Sequence, residues 1–407
     1  MDQLRIMVCG SVDDGKSTLV GRFFHELGQI KSDQVQTIEK ASQKNATGRE
    51  KSGVVNLAYF TDGLRSEVEN GITIDVAYRY LDMAGRRLVV ADAPGHFEFT
   101  RNMVTACSQV DAVVLLLEGH SGLKEQTRRH LKIAQWMKIP RILAVVNKMD
   151  LCGFSQEIFL KRKQEIESEA GMAEITVIPA CALEGHGILS FAGSPLSWFR
   201  GPSLLDWLKQ VPGSSVFGHE DASLRLSIQG RVLGAGSDEA GTLAVIHSGR
   251  LQREDCLQTP EVSGLVQVLE IQIGDQVTNH ALPGDPVFLK LDREVAAGTL
   301  LTLPEKGPLS ARRWKVEICP LLENLDLSGK EFWLRTLLAE KKVRVLPRAT
   351  STPGGFAQNE IQEAVLEFAE DFATDTRDFS GQGDLGRFVL LSLETGGTIA
   401  AGFFLGV

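Results

Sequence analysis

The first residues whose types and spacing could do chemistry lie directly after a short apolar strand near the start of the chain. Residues Gly10 to Ser17 read G-x-x-x-x-G-K-S, between the strand predicted at Arg5 to Cys9 and a segment of helical periodicity from Ser17 to Leu27. The two glycines allow successive backbone N–H groups to turn toward phosphate oxygens, and a helix N-terminus adds its positive end. Lys16 would reach the β and γ phosphates, while Ser17 would supply a hydroxyl to Mg²⁺. The pattern predicts a loop that binds a nucleoside triphosphate through Gly10, Asp13, Asp14, Gly15, Lys16, Ser17 and Thr18.

A second motif could read the base of that nucleotide. The segment Asn147-Lys148-Met149-Asp150 follows the apolar strand predicted at Ile142 to Val146. The Asp150 carboxylate can accept hydrogen bonds from N1–H and from the 2-amino group of guanine, whereas adenine has an acceptor at N1. We therefore expect GTP, with Asn147, Lys148 and Asp150 among the binding residues.

Two further motifs stand where a GTPase needs metal and water. Asp92 ends a predicted strand and begins Asp92-Ala93-Pro94-Gly95-His96, at the sheet edge where ligands of open α/β folds bind. Asp92 would hold Mg²⁺ through water, the Gly95 N–H would contact the γ-phosphate, and His96 would orient the attacking water. Thr73, in Gly71-Ile72-Thr73-Ile74, would give Mg²⁺ a second hydroxyl. The predicted metal ligands are Ser17, Thr73 and Asp92, and the predicted catalytic residues are Lys16, Thr73 and His96.

Each motif alone also fits a plain turn, a strand start or a hydrogen-bonded histidine, and only their order is specific. The elements that must position them alternate from Leu4 to about Val211, as in βαβ units with a parallel sheet covered on both faces. This pattern predicts an α/β, doubly wound P-loop domain at residues 1–211. Its predicted strands are Arg5–Cys9, Thr73–Leu81, Arg87–Asp92, Ala112–Leu117, Ile142–Val146 and Thr176–Ile178, and its predicted helices are Ser17–Leu27, Thr100–Ser108, Glu125–Met137 and Gln156–Glu169.

The pattern changes after a predicted linker at Val211 to Ser215. Short apolar runs separated by Gly, Asp and Pro turns then predict two small β-barrel domains, at residues 222–305 and 310–407. The clearest loop of the last domain is the Gly-rich segment from Ser351 to Phe356.

Composition limits the possible partners and compartment. With 407 residues the chain is too long for one core, and its formal charge of -9 argues against neutralising DNA phosphates as its main work. Its six cysteines stand singly, without metal-site or disulfide spacing, and read as reduced thiols. Neither a secretory leader nor an apolar run of about 18 residues is found, so we expect a cytoplasmic protein with no membrane segment.

Together the motifs resemble the translation-factor superfamily of GTPases and, more closely, the family of GTPase (large) subunits of bacterial sulfate adenylyltransferase. The resemblance is carried by Gly10 to Ser17, where elongation factors usually have His in place of Asp14, and by the long string from Gly71 to Tyr80. It continues to about residue 211 and then, more loosely, through Gly241-Thr242-Leu243 and Thr398 to Gly402.

The resemblance implies a GTPase that drives a partner, the small adenylyltransferase subunit, which makes adenosine 5′-phosphosulfate from ATP and sulfate. The chain has one phosphate-binding loop, so adenylyl transfer would take place on the partner. The resemblance also assigns guanine contacts to Cys181, Ala182 and Leu183, where the family has S-A-L and uses a backbone amide. Two departures are Ala93 in place of the usual Thr and a third domain shortened between about Pro320 and Phe356.

Three alternatives stay open. A translation-type GTPase that delivers aminoacyl-tRNA is favoured by the basic stretch Lys341 to Arg348, although a solvated edge strand explains that stretch as well. The acidic balance and the Asp13-Asp14 pair argue against tRNA. A non-catalytic nucleotide-binding scaffold conflicts with the intact Lys16 and His96, and the divergent third domain suggests a paralogue that energises another adenylyltransferase.

Overall fold

The computed structural model describes the chain in several stretches that form two compact units, Met1–Ser214 and Ser215–Val407. The described residues are 3–30, 57, 77–83, 85–93, 100–107, 110–171, 174–212, 222–233, 240–259, 262–304, 306–322, 325–347, 356, 358, 360–377 and 384–407.

The first unit contains a six-stranded sheet of strand order β2-β3-β1-β4-β5-β6. Its strands are β1 Gln3–Gly10, β2 Ala77–Met83, β3 Arg86–Asp92, β4 Ala112–Glu118, β5 Ile142–Asn147 and β6 Ile175–Pro179. The described helices are α1 Lys16–Glu26, α2 Thr100–Cys107, α3 Glu125–Trp136, α4 Gln156–Ala170 and α5 Leu204–Gln210.

The predicted parallel sheet has one antiparallel strand pair, at its edge. Strand β2 pairs antiparallel with β3, whereas the other strand pairs are parallel. The reason is the short connection between Met83 and Arg86, which includes Gly85 at φ 85°. So short a connection permits only a hairpin, because a parallel pair needs a crossover of a dozen residues or more.

The core of the first unit contains the central strands of its sheet. Strands β4 and β5 are buried along their whole length, as expected for central parallel strands covered on both faces. On one face, Phe23 of α1 and Trp207 of α5 pack with β1 residues in a continuous core. Val211 belongs to the same core.

The second unit begins with an antiparallel sheet of order β10-β11-β14-β8-β7-β15. The backbone groups of Gln258 and Thr302 exchange hydrogen bonds of 2.8 and 3.0 Å, which joins the two ends of this sheet as in the predicted small barrel. The strands are β7 Arg225–Leu233, β8 Ala240–Ser248, β9 Leu251–Gln252, β10 Cys256–Thr259, β11 Val262–Ile273, β12 Gln276–Thr278, β13 His280–Ala281, β14 Pro286–Leu291 and β15 Leu300–Leu301.

The end of the chain forms a closed six-stranded barrel of order β16-β19-β18-β17-β20-β21 around a core that includes Trp314, Leu334 and Phe404. The region from Pro320 to Phe356, which we expect from the sequence to be shortened, includes β17 and β18 of this closed barrel. Its strands are β16 Leu309–Pro320, β17 Glu331–Arg335, β18 Glu340–Pro347, β19 Gln362–Thr374, β20 Arg387–Leu391 and β21 Thr398–Gly406.

The fold class, a P-loop-type α/β domain followed by β-barrel domains, is confirmed. The boundaries 211, 222, 305 and 310 stay a prediction, because both β sheets lie within one compact unit. Most of the predicted Gly-rich loop at 351–356 lies outside the described residues. None of the helices in the described stretches has the length and apolar character needed to cross a membrane.

The basic stretch from Lys341 is not an edge strand. It forms β18, which is paired on both sides, with β17 and with β19. Lys341 lies 3.2 Å from Glu370, and Lys342 and Arg344 lie 2.9 and 3.2 Å from Glu331. Cross-strand carboxylates therefore balance these cations on the barrel surface.

A buried ion pair joins the two sheets of the second unit. Arg225 on β7 donates from Nε and Nη2 to both carboxylate oxygens of Asp375, at 2.8 and 2.9 Å. Its Nη1 donates to the carbonyl oxygens of Leu224 and Lys306. Both charged side chains are almost fully buried, so the pair depends on this complete set of hydrogen bonds.

Replacing Arg225 with lysine should lower the free energy of unfolding of the full chain by about 1 to 2 kcal/mol, because one ammonium cannot reproduce the planar, four-bond arrangement. Urea unfolding followed by circular dichroism measures the change. Arg231→Lys, on the same strand in an exposed pair with Glu294, is the matched control and should change it by less than about 0.5 kcal/mol. Equal losses in the two variants would contradict a special role for the buried pair.

Candidate nucleotide-binding site

The carboxyl ends of the parallel strands lie at one edge of the first unit's sheet and carry the predicted site. Gly10 ends β1, Asp92 ends β3 and Asn147 ends β5, while Cys181 follows β6. Ligands of open α/β sheets bind at this edge. The structure thus brings the phosphate loop, Asp92, the Asn147–Asp150 segment and the Cys181–Leu183 segment to the same edge. Thr73, Gly95 and His96 lie outside the described residues.

Three residues of the phosphate loop have positive φ angles. Gly10 has φ 152°, Asp13 has φ 67° and Gly15 has φ 90°. A Cβ atom on Gly10 would lie 2.7 Å from the Leu116 carbonyl oxygen, and one on Gly15 would lie 2.5 Å from Nδ2 of Asn147. Both glycines are therefore needed for close approach as well as for conformation.

Lys16 opens helix α1 and is directed into the loop. Its Nζ donates to the carbonyl oxygens of Gly10 and Ser11, at 3.3 and 2.9 Å. Burial lowers the pKa of Lys16, and the nearby carboxylates of Asp92 and Asp14 oppose that effect. Within the part of the chain that the structure describes, no side chain caps the N-terminus of α1, which leaves its first N–H groups facing the loop.

The side chain of Asp14 contacts other protein groups. Its carboxylate is buried and accepts hydrogen bonds from Ser11 N (2.7 Å), Lys124 Nζ (2.8 Å) and Thr127 Oγ1 (3.3 Å). Burial raises the pKa of Asp14, and the contacts with Lys124 and Ser11 act against that shift. Asp14 therefore shapes the loop, and a contact with the nucleotide would have to come from its backbone.

Asn147 joins the two halves of the site. Its Nδ2 donates to the Asp14 carbonyl oxygen at 2.9 Å, and its Oδ1 accepts from the Ala182 N–H at 3.0 Å. The side chain is buried, so both bonds are protected from water. One amide thus fixes the distance between the phosphate loop and the segment predicted to contact the base.

The segment Cys181 to Leu183 is held from three sides. Arg22 of α1 donates to the carbonyl oxygens of Ala182 and Leu183. Cys181 exchanges backbone hydrogen bonds with His186, and its Sγ donates to Oδ1 of Asp150 at 3.3 Å. Burial raises the pKa of Cys181 to about 12, which keeps it a thiol donor. Cys181 therefore holds the Asp150 carboxylate beside this segment.

The predicted metal ligands that the structure describes suit Mg²⁺. Asp92 is a buried carboxylate beside the phosphate loop, close enough to Lys16 for their charges to interact. Ser17 supplies a hydroxyl one residue after Lys16. Carboxylate and hydroxyl oxygens are the donors that Mg²⁺ prefers.

Four residues of the site were missed by the sequence reasoning. Arg22 and Thr127 lie on helices α1 and α3, and Lys124 directly precedes α3. Glu118 ends the buried strand β4, at the same sheet edge as Asp92. The position of Glu118 could have identified it, because Asp92 was predicted as a site residue from the same feature, an acidic residue at the end of a buried strand.

Comparison with known proteins agrees with this site. Residues 1–222 match the family model described as elongation factor Tu GTP binding domain. Over 99% of its length the chain is 34% identical to sulfate adenylyltransferase subunit 1 of Rhizobium rhizogenes strain K84, covering 82% of that protein. Over 83% of its length it is 36% identical to the protein of the same name from Vibrio campbellii, covering 71% of it.

Among solved structures, a bacterial selenocysteine-specific elongation factor, EF-Sec, is similar at 18% identity and a TM-score of 0.46, over 99% of this chain and 58% of that one. That likeness is too distant to carry an argument. The family follows from the first two comparisons. The chain belongs to the sulfate adenylyltransferase subunit 1 family, and its first 222 residues match a GTP-binding domain of the elongation factor Tu type.

Proposed function

We propose that the chain hydrolyses GTP to drive adenosine 5′-phosphosulfate synthesis by a partner adenylyltransferase subunit. The observation that carries the proposal is the double contact of Asn147, which ties the phosphate loop to the Cys181–Leu183 segment beside Asp150. A phosphate-binding loop and a guanine-reading carboxylate thereby belong to one site. Such a site recognises both ends of GTP and leaves ATP without its base contacts.

In this proposal the residues divide the work of hydrolysis. Lys16 binds the β and γ phosphates, and Ser17, Thr73 and Asp92 would hold Mg²⁺. When bound, that ion would neutralise charge that develops on the transferred phosphoryl group. The Gly95 N–H contacts the γ-phosphate, and His96 orients the water that attacks it.

The remaining site residues position the base. Asp150 accepts hydrogen bonds from guanine N1–H and the 2-amino group, and Lys148 is close to the loop, with Cε 3.9 Å from where a Cβ atom on Gly15 would lie. The backbone of Cys181 to Leu183 contacts the base from the other side. The Asp150 to Cys181 hydrogen bond supports this, because it holds the carboxylate beside that segment.

The partner is part of the proposal because the relatives are named subunit 1. The phosphate–sulfate anhydride is unfavourable to form, so its synthesis needs a coupled, favourable reaction. Switch loops that rearrange when the γ-phosphate leaves can provide that coupling. We place the chain in the cytoplasm, where its six free cysteines stay reduced, without DNA, membrane or tRNA as partners.

The purified chain should hydrolyse GTP slowly, at about 10⁻⁴ to 10⁻² per second, and should make no adenosine 5′-phosphosulfate by itself. Addition of a candidate adenylyltransferase partner subunit should accelerate GTP hydrolysis and start sulfate activation. The assay supplies GTP, ATP, Mg²⁺ and sulfate, and measures guanosine diphosphate and adenosine 5′-phosphosulfate.

His96→Ala is the control for this assay, since it should retain GTP binding and fail to couple. Synthesis of adenosine 5′-phosphosulfate by the chain alone would contradict the division of labour. Acceleration by tRNA-loaded ribosomes instead would identify a translational GTPase. Acceleration by an unrelated adenylyltransferase would identify a paralogue with another substrate.

A further inference from the structure

Two charged residues outside the nucleotide-binding motifs link the phosphate loop to the Asn147–Asp150 segment. Lys124 Nζ lies 2.8 Å from Oδ1 of Asp14 and 3.1 Å from Oε2 of Glu118. The other carboxylate oxygen of Glu118, Oε1, lies 2.6 Å from Lys148 Nζ and accepts its hydrogen bond. Asp14, Lys124, Glu118 and Lys148 thus alternate in charge from one loop to the other. We refer to these four residues as the ion bridge.

The first member of the ion bridge poses an electrostatic problem. Asp14 is a buried carboxylate inside the loop that would bind the phosphates of GTP. Coulomb repulsion between a carboxylate and a phosphate is strong wherever water is excluded. Asp14 is nevertheless required, because it accepts the Ser11 N–H and so fixes the loop. The loop therefore needs a cation that cancels Asp14 without occupying the phosphate position.

Lys124 meets this need better than Lys16 does. Its Nζ donates to Asp14 Oδ1 at 2.8 Å and to the Val12 carbonyl oxygen at 3.4 Å. Lys16 donates to the carbonyls of Gly10 and Ser11 and stays available for phosphate. Although burial acts against its charge, the contacts with Asp14 and Glu118 raise the pKa of Lys124. Lys124 therefore stays a cation.

Glu118 keeps Lys124 in place. Lys124 contacts Oε2 of Glu118, and the Ser121 hydroxyl donates to this same oxygen at 2.6 Å. Burial alone would raise the pKa of Glu118, but hydrogen bonds from Lys148, Ser121 and Lys124 outweigh it and lower the pKa to about 2. Arg162 of α4 binds the carbonyl oxygen of Gly119, whose N–H donates to the Asn147 carbonyl oxygen. The loop that presents Lys124 is thereby anchored to the base-reading strand β5.

We propose that Lys124, oriented by Glu118, is a positioning residue for GTP: it neutralises Asp14 and couples the phosphate loop to the guanine-reading segment. This inference rests on the proposed function of the site. It adds a pair of residues that the phosphate-loop and N-K-x-D motifs do not contain.

Lys124→Met should weaken GTP binding by about tenfold or more, measured with a fluorescent GTP analogue, because it leaves the Asp14 charge buried beside the phosphates. The double variant Lys124→Met with Asp14→Asn should recover most of that loss, since no uncompensated charge remains. Lys132→Met, on α3 in an exposed pair with Glu169, is the matched control and should bind GTP as the unchanged chain does.

The pH dependence of GTP binding separates positioning from a general loss of folding. The groups that interact with Asp14 are Lys124, Thr127, the Ser11 N–H, Lys16 and the buried thiol of Cys9. Without Lys124, protonation of the buried Asp14 removes the repulsion. The affinity of Lys124→Met should therefore rise with falling pH more than that of the unchanged chain does. Circular dichroism confirms that each variant is folded.

The outcomes distinguish this inference from the proposed function. Unchanged GTP affinity in Lys124→Met, or a double variant as weak as Lys124→Met, would overturn the role of Lys124. A pH dependence equal to that of the unchanged chain would also overturn it. Failure of the unchanged chain to bind GTP at all would overturn the proposed function instead.

Discussion

Asp150→Asn should change the nucleotide preference of the chain from GTP to xanthosine triphosphate. In the proposed site the carboxylate would accept hydrogen bonds from N1–H and the 2-amino group of guanine, whereas an asparagine amide can donate to the 2-oxo group of xanthine. Loss of a charge-assisted pair should cost GTP binding about 1.5 to 3 kcal/mol. Because xanthosine triphosphate gains where GTP loses, the ratio of the two dissociation constants should change by about 10³. Equilibrium binding of both nucleotides measures that ratio.

The surroundings of Asp150 make this substitution a clean test. An asparagine oxygen can still accept the hydrogen bond from Cys181 Sγ, so the local contact survives. Asp82→Asn, in an exposed ion pair with Arg87 on the edge of the same sheet, provides a charge-matched control. Dissociation constants that do not respond to Asp150→Asn would remove Asp150 from the base-reading role and leave the specificity for GTP unexplained.

The parts of the fold that follow from short stretches of sequence were predicted well. Strand β1 was expected at Arg5–Cys9 and spans Gln3–Gly10, and helix α1 was expected at Ser17–Leu27 and spans Lys16–Glu26. In both cases apolar periodicity and a glycine boundary decide the structure locally. The phosphate loop between them is specified in the same way, by two glycines that no other residue can replace.

Features that depend on distant residues could not be predicted in this way. Asp14 and Lys124 are 110 positions apart, and nothing in either local pattern marks them as partners. The same holds for Arg225 and Asp375, 150 positions apart. Lys341 to Arg344 read as exposed cations because their carboxylate partners, Glu331 and Glu370, lie on neighbouring strands. The charge of each of these residues was clear from the sequence, but its interaction partner was not, because the partner lies on another element.

Asn147 shows how a local motif acquires a long-range function. The N-K-x-D pattern placed it in base recognition, while the structure engages both ends of its amide with protein, at Asp14 and Ala182. An amide has one acceptor and a pair of donors, so it can link two loops at once. The distance between the phosphate loop and the Cys181–Leu183 segment then depends on the position of the Asn147 side chain.

Gly15→Ala should abolish most GTP binding, because the new methyl group would clash with the side chain of Asn147. A Cβ atom on Gly15 would lie 2.5 Å from Nδ2 of Asn147, so Asn147 would have to leave its contacts with Asp14 and Ala182. Alanine at φ 90° also costs about 1 to 2 kcal/mol in backbone strain. Together these effects should weaken GTP binding by about a hundredfold or more, measured by equilibrium titration.

Gly28→Ala separates the two causes of that loss. Gly28 follows helix α1 at φ 67°, and a Cβ atom there would meet nothing within 4 Å. It therefore carries the backbone strain of Gly15→Ala without the collision, and should lower the stability of the chain while leaving GTP affinity within about threefold of the unchanged value. If Gly15→Ala bound GTP as well as Gly28→Ala does, Asn147 could move without cost. The link between the phosphate loop and the base-reading segment would then not control nucleotide binding.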